Sequence, residues 1–77
     1  MDKMNVGMLW LDNDTKRPFD EKVQRAVEYY QQKYGQNPEV CFVNPTMIGK
    51  SMKVGKVSVE PFQSIMPHHF WLGMKNS

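Results

Sequence analysis

Hydrophobic positions in this chain fall into short clusters divided by polar turns, and the spacing inside each cluster predicts an element. "NVGMLWL", residues 5 to 11, is apolar on both alternating sides, Val6, Met8 and Trp10 against Leu9 and Leu11, and it is stopped by the turn-forming "DND". That pattern predicts a strand covered on both faces, as in the centre of a sheet. "RPFDEKVQRAVEYYQQKYG" changes period. Phe19, Val23, Ala26, Val27, Tyr30 and Tyr34 recur at steps of three and four, which places them on one stripe of a helix. Pro18 suits the first helical position, Asp20 and Glu21 suit the amino end of the macrodipole, Lys33 suits the carboxyl end, and Gly35 supplies the left-handed stop. Glu21, Gln24, Arg25, Glu28 and Gln32 form the opposite, solvated face.

A second strand is predicted over "EVCFV", residues 39 to 43, again apolar on both sides. The span from Leu11 to Glu39 accommodates a crossover, so the first two strands are expected as parallel neighbours with the helix packed across them. Residues 44 to 55, "NPTMIGKSMKVG", are expected to be a flexible basic loop. "KVSVEP" then sets Lys56, Ser58 and Glu60 against Val57, Val59 and Pro61, the signature of a strand with one wet face that Pro61 ends. "MPHHFWLGM", residues 66 to 74, reads as the last strand, with His68, Phe70 and Leu72 on one side and His69 and Trp71 on the other. The expected fold is therefore α+β, a two-layer domain over residues 1–77 with one main helix on a small mixed sheet, in the order β-α-β-β-β.

Composition narrows the function classes. Seventy-seven residues, 40% of them hydrophobic, suit one small core, because a chain this short buries only about 60% of its unfolded surface. A net charge of +2 is too slight to imply nucleic acid, whose footprint is a clustered basic face. The single cysteine forms no internal disulfide, the apolar run near the amino end is too short for a signal peptide, and none approaches the roughly 20 residues of a membrane span. A cytoplasmic protein without a membrane partner is expected.

Several residues carry candidate chemistry. Adjacent histidines on a strand diverge and cannot easily share one ion, so no metal is expected at His68 and His69 unless Cys41, Asp12 or Asp14 converges on them. Cys41 in an apolar strand reads as a small buried hydrophobe, not as the nucleophile of a cysteine–histidine pair. "NPTMIGKS" ends like a phosphate-binding P-loop, but Asn44 stands at the first glycine and Pro45 deletes a donor. "WLDNDT" sets two aspartates after a strand as aspartate-based phosphatases do, yet Lys16 stands where that family has threonine or valine. A turn is the better account of Asp12 and Asp14.

No catalytic constellation, cofactor site or metal site emerges, and the expected function is a non-catalytic interaction module. Self-association is expected because two strands are apolar on both faces while one amphipathic helix covers only one, leaving Phe70 and Trp71 as candidate anchors of a homodimer. The alternative is a nucleic-acid-binding domain that uses Lys50, Lys53 and Lys56. A small metal-dependent hydrolase around Asp12, His68 and His69 stands last.

Overall fold

A computed structural model of the chain describes residues 7–74. Asn5 and Val6, placed in the first strand by the sequence pattern, lie outside the described residues. The fold is α+β, one helix on a five-stranded mixed sheet. Its elements are β1 (Gly7–Leu11), α1 (Phe19–Tyr34), β2 (Val40–Val43), β3 (Met52–Val54), β4 (Val57–Pro61) and β5 (His69–Gly73). The expected order β-α-β-β-β is present, with one further short strand, β3, inside the segment read as a loop.

The helix forms where its period demands. Pro18 is the residue before the first turn, at φ −61° and ψ 155°, one position earlier than expected. Its carbonyl accepts the Lys22 N–H, the first helical hydrogen bond. Gly35 closes the helix at φ 73°, donating its N–H to Gln31 O, a left-handed stop that costs glycine nothing. The inward stripe of Val23, Ala26 and Tyr30 is fully buried, and Phe19 leans on Phe70 with ring centroids 5.9 Å apart.

Strand order departs from expectation. The sheet runs β1-β5-β2-β4-β3, so β1 and β2 are not neighbours. Each pairs antiparallel with β5 between them, Leu9 and Phe42 both facing Trp71 in register. The physical reason lies in β5: Phe70, Trp71 and Leu72 are all buried, and a strand apolar on both faces gains most at the centre of a sheet. β1 is thereby displaced to an edge, which corrects the central position read from its pattern. β2 also pairs parallel with β4, and β4 antiparallel with β3.

The segment 44–55 is not loop throughout, because Met52–Val54 form β3. Asn44 donates from its side chain to Ile65 O and accepts from Thr46 N–H, and Met47 and Ile48 pack on the helix-side core. The chain then turns through Gly55, at φ 60°, between β3 and β4. Glycine suits that first position of a tight hairpin turn. At the far end of β4, Pro61 pairs with Val43 and β3 no longer runs alongside, so the missing N–H disrupts no ladder on that side.

Candidate functional site

Alternation along the strands gives the sheet two unlike faces. Met8, Trp10, Phe70, Leu72, Cys41, Val43, Val57 and Val59 point toward α1 and join its stripe in one cluster. On the other face lie Leu9 and Leu11 of β1, His69 and Trp71 of β5, Val40 and Phe42 of β2, and Ser58 and Glu60 of β4. The β4–β5 connection covers part of that second face. Ile65 is buried against Val40 and Trp71, Phe62 meets Phe42 at 5.1 Å, and Phe42 stacks on Trp71 at 5.7 Å. The cover stops short of β1, where Leu9 is 60% and Leu11 56% exposed.

Gly7 completes the corner. A Cβ there would sit 2.3 Å from Trp71 Cζ2, so the indole overlies a position that holds no side chain. Trp71 is therefore only 7% exposed. Phe70, expected as an anchor of a surface contact, is fully buried beneath the helix and belongs to the core. Among the described residues of β1, the exposed apolar side chains are Leu9 and Leu11, which the sequence pattern assigns to the interior.

The backbone of β1 adds a second property. Asp12 donates its N–H to His68 O across the β1–β5 ladder. Residues facing a neighbour alternate along an antiparallel strand, so Met8 and Trp10 turn their N–H and C=O groups toward β5 while Gly7, Leu9 and Leu11 turn theirs outward. Tyr34 Oη donates to Gly7 O from the helix side, at 3.1 Å. Among the described residues no strand pairs with this outer edge.

Cys41 and His69 are kept apart. Cys41 lies on the helix face, where burial pushes its thiol up to about 12, and His69 lies on the opposite face, its Nδ1 2.9 Å from Pro67 O. The sheet separates the two. His68 is not in the strand: it occupies a turn at φ 67°, exposed, so it does not share a side with Phe70 and Leu72. Asp12 is buried on the helix side and pairs with Arg17 Nη1 at 3.0 and 3.2 Å. Lys22, buried on the first turn of α1, reaches Asp12 O at 3.4 Å. Burial opposes the Asp12 charge, but the Asp14 N–H, the Arg17 hydrogen bond and charge, and the Lys22 charge outweigh it and hold the carboxyl below its ordinary value. Asp14 receives the Lys16 N–H at 2.8 Å. "DND" is thus a turn whose carboxylates pair with Arg17 just ahead of α1, while the Asp12 carbonyl receives Lys22 from the helix. Among the described residues no group of three or more His, Cys, Asp or Glu side chains could hold a metal ion.

Of the three lysines, Lys50 lies in an exposed bend, Lys53 on β3, and Lys56 in the hairpin turn. Lys53 and Lys56 share a shallow hollow of about 520 Å³ with Glu39 and Ser58, and Lys50 does not line it. A carboxylate beside two ammonium groups weakens their pull on phosphate. A second groove, of about 330 Å³, runs between α1 and the β3–β4 turn, with Val27, Val54 and Val57 flanked by Glu28, Gln31 and Lys56. Among the described residues no helix is long and apolar enough to cross a membrane. No protein-family model, curated protein or solved structure matches the chain.

Proposed function

We propose that this chain is a small non-catalytic interaction module that associates with a second copy of itself through the uncovered side of its sheet. The observation that supports this reading is the corner at β1, where two leucines stand more than half exposed beside a covered aromatic cluster. Contiguous exposed apolar surface on a small domain marks a contact site more often than chance. Cys41 and His69 lie on opposite faces of the sheet and the Asp12 carboxylate is engaged by Arg17, which supports the non-catalytic part of the reading, because nucleophile–base chemistry needs side chains within hydrogen-bond reach. The single, buried Cys41 suits a reducing compartment such as the cytoplasm. Nucleic-acid binding through Lys50, Lys53 and Lys56 is the lesser reading, since Glu39 sits among the contacts that phosphate would need.

Light scattering coupled to size exclusion, run from roughly micromolar to submillimolar protein, tests the proposal. The expected mass rises from one chain toward two as concentration increases. A mass of one chain across the whole range overturns it.

A further inference from the structure

The two edges of the sheet are built differently, and the difference points to one occupant. β3 is three residues long and carries Lys53, and shortness and an edge lysine are the usual protections against strand pairing. β1 is five residues long and uncharged from Gly7 to Leu11, with the backbone groups of Leu9 and Leu11 turned outward. We infer that β1 pairs antiparallel with β1 of a second copy about a two-fold axis at Leu9, so that one sheet runs through both protomers. This inference rests on the self-association proposed above and specifies its geometry.

The strand is self-complementary in that register. With Leu9 facing its own copy, each Leu11 comes opposite the partner's Gly7, a large side chain against a position that holds none. Leu11 then packs beside the indole of Trp71 that overlies that glycine. On the helix side Met8 comes opposite the partner's Trp10, next to the half-exposed Tyr29, which stacks on Trp10 at 4.3 Å. Leu9 donates its N–H to the partner's Leu9 O and accepts in return, and Leu11 N–H reaches the partner's Gly7 O, whose second lone pair is left by Tyr34. No charge faces a like charge along the strand. A strip about 17 Å long is a small interface beside the roughly 800 Å² per partner of a standard complex, so the dimer is expected to be weak and dependent on concentration.

Cysteine placement tests the register and a charge tests the edge. Across a hydrogen-bonded antiparallel pair the Cα atoms stand about 5.5 Å apart, within disulfide reach, so Leu9→Cys is expected to give a covalent dimer with oxidised glutathione. Leu11→Cys is not, because the two Leu11 positions would lie roughly 14 Å apart along the strands. Buried Cys41 serves as the internal background. Leu9→Lys, at an exposed position, is expected to hold the mass at one chain while circular dichroism and the melting temperature stay near those of the natural chain. If the natural chain dimerises but Leu9→Lys dimerises equally, or Leu11→Cys crosslinks in place of Leu9→Cys, the edge geometry is wrong and self-association stands. A natural chain that is monomeric throughout removes both. Should Leu9→Lys fail to fold, the cysteine pair decides alone.

Discussion

The helix-covered face and the open face belong to the same strands, yet they are finished by unlike means. On the helix side, Val23, Ala26 and Tyr30 descend between Phe70, Leu72, Cys41 and Val59, and every one of these residues is essentially inaccessible. On the open side a loop contributes Ile65 and Phe62, enough to bury Val40 and Trp71 but not to reach β1. A helix of 16 residues spans about 24 Å, whereas a short connection covers only what lies next to its anchor points. Closure on the second face is therefore local, and it leaves Leu9 and Leu11 exposed at the strand farthest from β4.

Truncation of a closed-face residue sharpens the contrast most. Phe70→Ala removes a fully buried ring and is expected to cost about 3–5 kcal/mol in urea unfolding, the range for such cavities. A loss under about 1 kcal/mol would mean that the helix face is loosely packed. The thiol of Cys41 reads the same face without mutation. The Cys41 thiol is fully buried and its pKa is pushed up to about 12, so the folded protein offers little reactive thiolate. Its reaction with a disulfide reagent at mildly alkaline pH is expected to be much slower than in denaturant. A native rate close to the denatured one would show that the face opens freely.

Gly7→Ala probes the open side, where a methyl would press into the Trp71 ring at 2.3 Å and the Leu72 carbonyl at 2.7 Å. Overpacking of this kind is expected to cost about 1–3 kcal/mol, with a change in tryptophan emission. An unchanged melting curve would mean that the indole moves aside cheaply. Asp12 tests the turn that follows β1, where its carboxylate pairs with Arg17. Its folded carboxyl lies below the ordinary 3.8, so the unfolded chain takes up the proton first. The stability it contributes is present above about pH 4 and is lost as pH falls through the folded value. Asp12→Asn is expected to flatten the acid limb of stability against pH, and an identical limb in both proteins counts against the Arg17 pairing. Leu9→Ser should change the least: measured dilute, where the chain is a single copy, the expected shift is within about 0.5 kcal/mol.

Much of this architecture was legible in the residues. The helix over Phe19–Tyr34 followed from a 3.6 period with a proline before it and a glycine after it, and local rules of that kind need no partner. The strands at Val40–Val43 and Val57–Pro61 were legible for the same reason, as was the alternation that buries Val57 and Val59 and leaves Ser58 and Glu60 on the other face. The "DND" turn was readable as well. Its carboxylates hydrogen-bond N–H groups two residues on, a habit of aspartate that depends on nothing distant.

Assembly of the sheet settled which of two apolar strands is flanked on both sides. "NVGMLWL" and "HFWLG" are both apolar on alternate sides, and nothing local ranks them. β5 took the interior place between β1 and β2 because pairing it with both buries Phe70 and Trp71 on opposite faces at once, and burial is a property of the assembled sheet. The same choice put Leu9 and Leu11 in the open, placed His69 and Cys41 on opposite sides of the sheet, and left His68 in a turn. The short strand β3 leaves no signature in the sequence because three residues carry too little period, and it exists through its pairing with β4. Sequence determined the elements, because helix period, turn chemistry and strand alternation act over a few neighbouring residues. Tertiary structure determined the order of the strands and therefore the surface, because a side chain counts as buried only when something distant in the chain comes to cover it.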